Sequence, residues 1–419
     1  MRRLGNKGHK VLEVRTLIPE RARHASLRRS NSGSVPFMSH APSDTLSRRH
    51  QRVRKAAAAG VLDALVVTSL PNILYLTNFS GSSAIVVVTA ERLCFLTDFR
   101  YVTALEETRA TSHECPGLEL VRVDGSYDAT LAALLASMNG IRIGFEAAHL
   151  TVGRHTSLTS TLRKALAAPP ELVPTDGVVE RFRVCKDPYE LETLREAARR
   201  LSAVAHGVFE EVRRGRTERD VALAIDSRIH QAGFERPAFD TIVASGSNGA
   251  LPHARPGGRT LTEGDLVVLD FGGVYDSYCV DLTRTVSIGT PSARARQVHA
   301  AVLDAHDRAI ASVAPGRSRF AIDRAARDTL TSYGLGEAFG HGTGHGLGIE
   351  IHEEPRVTRR RPDDPPSGSD DDVAAGMVFT IEPGAYLAGW GGVRIEDDVV
   401  VTEGGVEVIT DVTTELMEL

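Results

Sequence analysis

The stretch LVVLDFGGVYDSYCVDLTRTV, residues 266–286, decides how the second half of the chain folds. Two runs rich in apolar and β-branched residues flank a polar turn, which is the pattern of a β-hairpin. A turn centred on Tyr275 and Asp276 would place Asp270 directly opposite Asp281, with Cβ atoms about 4.5–5.5 Å apart. Like charges at that spacing repel each other, so we expect a cation between them.

A second predicted hairpin, FTIEPGAYLAGWGGVRIEDD at residues 379–398, repeats the arrangement. A turn centred on Gly389 sets Glu382 opposite Glu396, and both acids interrupt otherwise apolar runs. Acids are uncommon in buried strands unless something pairs with them. Two opposed acid pairs in one region argue against chance and predict a metal site.

The glycine-rich segment HGTGHGLGIEIH, residues 341–352, adds three histidines to these acids. Glycine loses more conformational entropy on folding than any other residue, so something must hold this segment in place. The segment is either a turn-rich loop with incidental histidines or a stretch of backbone that packs closely around a ligand. Carboxylates with an imidazole match the oxygen and nitrogen donors of a divalent ion. Four carboxylates exceed the charge of one ion, so we expect two ions about 3.5–4 Å apart, with His345 among their ligands.

The bulk composition excludes several classes of protein. A chain of 419 residues suggests two or three domains, and 42% hydrophobic with 25% charged residues is ordinary for a globular protein. A net charge of -5 gives no electrostatic reason to expect nucleic acid or an anionic membrane as a partner. No apolar run reaches the length of a membrane span. Four cysteines without CxxC spacing predict free thiols in a reducing compartment, the cytoplasm.

The pattern of apolar residues divides the chain into three parts. Residues 1–43 are predicted to be a basic disordered tail or an over-long start before Met38, and a nucleic-acid-binding arm is the alternative. Residues 44–178 alternate helices with short strands, DALVVTS, NILYLTN, SSAIVVVT, LCFLTDF and IRIGFEA, which predicts an α/β domain. Residues 186–419 combine antiparallel strands with four helices, an α+β domain, and residues 359–372 form a predicted mobile loop. The four helices are predicted to begin at Asp187, Thr217, Ser292 and Ser318.

Several motifs resemble, in order and spacing, the pita-bread metallopeptidases, most closely the Xaa-Pro aminopeptidases and prolidases. They are LPHARPGGRTLTEGDLVVLDFGG, CVDLTRTV, HGTGHGLGIEIHEEP, FTIEPGAYL and GGVRIEDD. The segments SLPNILYLTNFSGSS and LTDFRY resemble the creatinase-type N-terminal domain of the same branch. The resemblance covers residues 45–419 and implies a C-terminal pita-bread domain behind a smaller α/β domain.

The resemblance also implies the roles of the residues at the site. Two divalent ions, Mn²⁺ with Co²⁺ or Zn²⁺ as substitutes, would be bound at five positions. Asp270 would bind one ion through both oxygens, Asp281 and Glu396 would bridge the pair, and the remaining ligands would be His345 and Glu382.

The remaining roles concern catalysis and substrate binding. Glu382 would also carry the proton to the leaving nitrogen, and His253 and His352 would contact the substrate. The resemblance places His341 outside the metal ligands or on the substrate side, and Arg394 steadies the site.

The implied activity is hydrolysis of the bond between an N-terminal residue and a following proline, by a homodimer acting on peptides. The alternative is an Xaa-Pro dipeptidase. A metal-free creatinase-type hydrolase and a non-catalytic binding module are disfavoured because all five ligand positions are present. A methionine aminopeptidase is disfavoured because it would not need the N-terminal region.

Overall fold

The computed structural model describes residues 39–138, 141–362, 368 and 371–419. The N-terminal region is built from five helices and six strands. They are α1 (Ser43–Ala59), β1 (Ala64–Val67), α2 (Leu70–Thr77), β2 (Ile85–Thr89), β3 (Leu93–Asp98), α3 (Phe99–Glu107), β4 (Leu118–Val123), α4 (Tyr127–Ala136), β5 (Arg142–Glu146), α5 (Val152–Ala165) and β6 (Glu171–Thr175).

The six strands form one mixed sheet in the order β4-β3-β2-β1-β5-β6. Because side chains alternate across a strand, Leu65 and Val67 of β1 enter the core beneath α1 and α2. Ala64 and Val66 enter the opposite core, against α4 and α5. Helices therefore cover both faces of the sheet, and the predicted α/β architecture is confirmed.

One predicted strand of this region is wrong. NILYLTN lies mostly in helix α2, which begins after Ser69, carries Pro71 in its first turn and ends at Asn78 with φ 65°. Every residue from Asn72 to Thr77 is buried. In a short run of consecutive apolar residues, no polar positions recur at helical spacing. The pattern of such a run is therefore the same for a buried helix as for a buried strand.

The C-terminal region follows a short helix, α6 (Glu180–Val184), and contains four longer helices and eleven strands. They are α7 (Pro188–Val208), α8 (Glu218–Gln231), β7 (Arg236–Pro237), β8 (Ile242–Ser245), β9 (Leu266–Tyr275), β10 (Tyr278–Ser287), α9 (Ala293–Ala311), α10 (Arg319–Ser332), β11 (Gly344–Gly346), β12 (Glu353–Val357), β13 (Val378–Ile381), β14 (Gly384–Leu387), β15 (Gly391–Arg394), β16 (Asp397–Thr402) and β17 (Gly405–Val408).

The four predicted helix starts are confirmed. Asp187 and Thr217 both form capping boxes, Ser292 caps α9 through its side chain, and Ser318 occupies the N-cap of α10. All strand pairs of this region are antiparallel among the described residues.

Two helix pairs enclose the strands of this region. Helices α7 and α8 share one hydrophobic core with β9 and β10. Helices α9 and α10 share a second core with β13, β15 and β16. The strands therefore lie between the two helix pairs, and this arrangement places the acid-bearing strands at the centre of the region.

A buried ion cluster joins the two regions. Arg49 of α1 is 2% exposed, and it donates to Asp187 at 2.9 Å and to the carbonyl oxygen of Tyr75 at 2.8 Å. Its guanidinium also lies 3.5 Å from Glu190 and donates to the Tyr278 hydroxyl at 3.3 Å. Burial raises the pKa of Glu190 to about 7, so the cation of the N-terminal region offsets a costly buried acid of the C-terminal region.

Several predictions concern particular segments of the chain. Residues 363–367 and 369–370 of the predicted loop, and residues 1–38 of the predicted tail, lie outside the described residues. All four cysteines are free, as predicted. Within the described part of the chain, no helix is both long and apolar enough to cross a membrane.

The described chain begins inside the segment predicted to be a tail. His40 Nδ1 lies 2.8 Å from Asp276 Oδ1, and Ser39 donates its backbone N–H to the Asn78 carbonyl at 2.7 Å. Ala41 is 1% exposed. The packed part of the protein therefore starts before residue 44.

Two truncations test where the packed part begins. Removing residues 1–38 is expected to leave stability and activity unchanged, because their sequence has no core-forming pattern. Removing residues 1–43 also deletes the contacts of Ser39 and His40, and we expect the free energy of unfolding to fall by about 1–3 kcal/mol. Urea denaturation of both proteins provides the comparison. Equal destabilisation by the two truncations would show that the first 38 residues are structural.

Candidate metal centre

Strands β9 and β10 carry the first pair of acids. The hairpin turns at Asp276 and Ser277, whose φ angles of 46° and 69° define a two-residue loop. Thr283, not Asp281, therefore faces Asp270, and Asp281 faces Gly272. The predicted direct opposition of Asp270 and Asp281 is wrong by two residues. Because side chains alternate, both acids still project from the same face, diagonally to each other.

The second pair of acids has the predicted register. Ile381 faces Asp397 in one ladder and Gly384 faces Arg394 in the next, so Glu382 lies opposite Glu396 between them. Glu396 also bridges to Thr283 of β10, whose hydroxyl donates to Glu396 Oε2 at 2.6 Å. This bridge connects the two acid pairs.

His345 lies at the centre of the three-residue strand β11. A Cβ at Gly344 would lie 1.7 Å from the Thr380 carbonyl oxygen, and one at Gly346 would lie 2.2 Å from the Glu354 carbonyl oxygen. Only glycine permits this approach, so the two glycines admit β13 and β12 on either side of the histidine. They serve close strand packing, whereas the predicted approach of this backbone to a ligand stays a prediction.

The tautomer of His345 leaves one ring nitrogen available. Nδ1 lies 3.2 Å from the Gly346 carbonyl oxygen, which can only accept, so Nδ1 carries the proton. Nε2 then presents its lone pair 3.7 Å from Glu382 Oε1. Burial, with a smaller effect of His352, lowers the pKa of His345 to about 3. The imidazole is therefore neutral, as a metal ligand must be.

All nine residues predicted for the site line one cavity of about 650 Å³: Asp270, Asp281, His345, Glu382, Glu396, His253, His341, His352 and Arg394. Three of the five predicted ligands form its tightest group. One donor atom each of Asp281, His345 and Glu396 lies within 4.8 Å of the other two. Asp270 and Glu382 border this group.

The carboxyl groups of the cavity are costly to ionise without a cation beside them. Burial and the neighbouring acids Glu396 and Asp270 raise the pKa of Asp281 well above its usual range. Burial and Glu382 do the same for Glu396. Burial also raises the pKa of Glu382 to about 8, although Arg394 opposes the shift. A group of acids that holds its protons this strongly is stabilised by divalent cations, which oxygen and imidazole donors suit.

Arg394 is the buried cation of the site. It pairs with Asp270, donates to Thr283 Oγ1 at 3.2 Å and donates to the Tyr386 hydroxyl at 2.8 Å. Nδ1 of His341 donates to the Gly342 carbonyl at 2.8 Å, so its Nε2 accepts from Tyr386 at 2.9 Å. Burial lowers the pKa of His341 to about 4. A chain of hydrogen bonds therefore runs from His341 through Tyr386 and Arg394 to Asp270.

Tyr386 is a site residue to which the sequence assigns no role. The sequence nevertheless contains the information needed to place Tyr386 at the site. Tyr386 lies two residues after Gly384, and Gly384 faces Arg394 across the second hairpin. Residues two apart share a face of a strand, so the register alone places Tyr386 beside Arg394.

The backbone behind the acids is held by a cation that sequence reasoning also misses. Arg284 is 2% exposed and donates to the Glu396 carbonyl at 2.6 Å and to Asp397 Oδ1 at 2.8 Å. His306 Nε2 lies 3.1 Å from the other oxygen of Asp397. Asp398 accepts from the backbone N–H of Asp281 at 3.0 Å. These contacts fix the strand positions of Asp281 and Glu396.

His253 and His352 are exposed at the side of the cavity that faces solvent. The ring of His352 lies edge to face with that of His345, at a centroid distance of 4.3 Å. Both histidines can reach a ligand that enters the cavity, whereas the acids lie at its buried end.

Comparisons with known proteins agree with this arrangement. Residues 192–403 match the sequence model of metallopeptidase family M24, and residues 49–185 match that of the creatinase/prolidase N-terminal domain. An uncharacterized peptidase of Bacillus subtilis is 36% identical, over 85% of this chain and 96% of its own length.

Two solved structures cover nearly the same span. The Xaa-Pro dipeptidase from Bacillus anthracis has a TM-score of 0.81 and 35% identity, and the match covers 89% of this chain and 100% of that one. The X-Pro aminopeptidase from Thermotoga maritima has a TM-score of 0.77 and 30% identity, with 87% and 100% covered. The expected pita-bread fold behind a creatinase-type domain is confirmed. The chain therefore belongs to metallopeptidase family M24.

Proposed function

We propose that this protein is an Xaa-Pro aminopeptidase, which removes an N-terminal residue that precedes proline. The observation that carries the proposal is the convergence of five ligand-type side chains on one cavity, with three donor atoms within 4.8 Å of one another. Relatives whose names include Xaa-Pro dipeptidase and X-Pro aminopeptidase support the choice of proline peptides.

Asp270, Asp281, His345, Glu382 and Glu396 would hold two divalent ions. An oxygen-rich set with one imidazole favours Mn²⁺, with Co²⁺ or Zn²⁺ as substitutes. When bound, such ions polarise a carbonyl and lower the pKa of water towards neutrality.

The remaining residues perform the acid–base and positioning work. Glu382, whose Oε1 lies 3.7 Å from Nε2 of the predicted ligand His345, would pass a proton to the leaving nitrogen. His352 and His253, on the solvent side, would donate to the scissile carbonyl as negative charge develops on it. Arg394 and Tyr386 keep Asp270 in place, and His341 anchors the end of their hydrogen-bond chain.

Cellular context is also part of the proposal. Four free cysteines support a cytoplasmic location, because thiols stay reduced there. A homodimer is proposed from the resemblance. The domain limits 44–178 and 186–419 and the individual ligand roles also stay predictions.

Hydrolysis of a matched peptide series tests the proposed function. The Mn²⁺-loaded protein is expected to release Xaa from Xaa-Pro-Yaa, and to leave Xaa-Ala-Yaa and N-acetylated Xaa-Pro-Yaa intact. Product analysis by chromatography identifies the released residue. Cleavage of Xaa-Pro alone, with no cleavage of Xaa-Pro-Yaa, would instead show a dipeptidase.

A further inference from the structure

Glu353 is a buried carboxylate at the start of β12, directly after His352. Its Oε1 accepts from the buried Arg183 at 2.5 Å and from the backbone N–H of Glu350 at 2.9 Å. Its Oε2 lies 3.5 Å from Nζ of Lys186, which is also buried. Burial opposes the ionisation of this carboxyl group, but Lys186 and Arg183 hold its pKa below the usual range. Glu353 is therefore an anion that binds two buried cations and one backbone group.

The contact between Glu353 and Glu350 closes the turn that carries His352. Gly348 donates its backbone N–H to the carbonyl of Glu350 at 3.1 Å, so the chain reverses its direction here. A Cβ at Gly348 would lie only 3.0 Å from Glu353 Oε2, so the carboxylate lies close to the backbone of the turn. The carbonyl of Gly348 accepts from the backbone N–H of Cys279 on β10 at 2.7 Å. The turn is therefore attached to a strand of the metal centre on one side and to Glu353 on the other.

The ring of His352 depends on this turn for its position. Among the described residues, no group hydrogen-bonds to the ring, which contacts the ring of His345 at a centroid distance of 4.3 Å. A catalytic side chain without a direct hydrogen bond is positioned mainly by the backbone that carries it. Misplacing such a group by about 1 Å can lower the rate of a reaction by about 100-fold.

Arg183 connects the turn to the N-terminal region. It lies in α6 and donates to Asn72 of α2 at 2.9 Å, and it also donates to Glu350 at 2.7 Å. Asn72 in turn donates to Glu146 of β5 at 2.6 Å. Asn72 and Glu146 are both buried. A continuous series of buried hydrogen bonds therefore runs from the sheet of the N-terminal region to Glu353.

We propose that Glu353 is a positioning residue that acts through His352, and that Arg183 anchors it to the N-terminal region. The carboxylate fixes the turn, and the turn places the imidazole where it would donate to the scissile carbonyl. The inference rests on the proposed function and deepens it, because it adds two residues that contact neither the metal ligands nor the substrate. It also gives the N-terminal region a part in placing a catalytic group.

A double-mutant cycle tests the inference in the Mn²⁺-loaded full chain, with a proline peptide that the parent cleaves. Glu353→Gln keeps the volume of the side chain but places an amide NH₂, which is a donor, against another donor. We expect kcat to fall about tenfold and KM to change less, because a displaced group stabilises the transition state less well. In the His352→Ala background, the same substitution should change kcat by less than about twofold, because no imidazole remains to be placed.

The matched control is Glu354→Gln, the same chemical change at the adjacent exposed position, which should keep the parental kcat. Equal losses of kcat in the two backgrounds would show that Glu353 only supports the fold, and would overturn the inference. A parental kcat in Glu353→Gln or in His352→Ala would overturn it as well. If Glu353→Gln does not fold, Arg183→Lys replaces it in the cycle with the same expectation. Lysine keeps the charge but lacks the planar group that reaches several partners at once.

A readout that does not depend on activity separates this inference from the proposed function. Histidine-ring NMR spectra are recorded on the Zn²⁺-loaded full chain, and the His352 signal is identified by its loss in His352→Ala. Glu353→Gln is expected to shift this signal and to leave distant histidines, such as the buried His299 of α9, unchanged. An unshifted His352 signal overturns the inference. Failure of the parent to cleave any proline peptide would instead overturn the proposed function, and the NMR comparison would still decide whether Glu353 positions His352.

Discussion

Replacing Glu382 by Gln is expected to lower kcat on Xaa-Pro peptides by about 10²–10⁴, the usual contribution of general acid–base catalysis. The amide keeps one donor oxygen and nearly the same volume, so the fold and part of the metal affinity persist. It cannot carry a proton, whereas the parental carboxyl can. KM is expected to change much less, because other groups hold the substrate.

The measurement is made at saturating Mn²⁺, so that weaker metal binding is not mistaken for lost chemistry. Glu403→Gln, at an exposed position, makes the same chemical change away from the cavity and should behave as the parent does. If kcat of Glu382→Gln stays within about tenfold of the parental value, Glu382 acts as a metal ligand and does not carry the proton. His352 is then the next candidate for the proton carrier.

Replacing Asp281 by Asn is expected to remove metal from the purified protein. Asp281 is 5% exposed and belongs to the tight donor group with His345 and Glu396. The substitution removes one negative charge and one donor oxygen, so elemental analysis should find a clearly lower ratio of metal to protein. Unchanged stoichiometry would contradict the bridging role.

The same substitution should change the unfolding temperature differently in the absence and in the presence of metal. Without metal, Asp281→Asn removes an acid that is costly to ionise because of its burial and its neighbours Glu396 and Asp270, so the metal-free variant should unfold at or above the temperature of the metal-free parent. Added Mn²⁺ should stabilise the parent more than the variant, since a ligand stabilises only the state that binds it. Asp124→Asn, at an exposed position, is the control.

Local sequence chemistry predicts much of this fold. Asp187 and Thr217 mark the starts of their helices because each is followed by the acid that completes a capping box. The register of the second hairpin can be predicted from its turn glycine, Gly389, which adopts a φ of 73°. These signals depend only on neighbours in sequence, which a single chain reveals.

Features that depend on distant partners could not be predicted. The predicted register of the first hairpin is wrong because Asp276 and Ser277 adopt left-handed φ angles that neither residue type requires. Arg284 resembles an ordinary strand residue, and its role depends on the approach of Glu396 and Asp397, which belong to a distant part of the chain. The need for glycine at Gly344 likewise arises from Thr380, which is remote in sequence.

The ion cluster around Arg49 limits how freely the two regions of the chain can be recombined. Its cation belongs to one region, and its carboxylates, the partly exposed Asp187 and the buried Glu190, belong to the other. A chimaera that took its first region from a relative without this arginine would leave Glu190 buried without its arginine partner. Tyr278 begins the strand that bears Asp281, so such a graft would disturb the approach to the metal ligands. We therefore expect the two regions to work as a matched pair rather than as exchangeable modules.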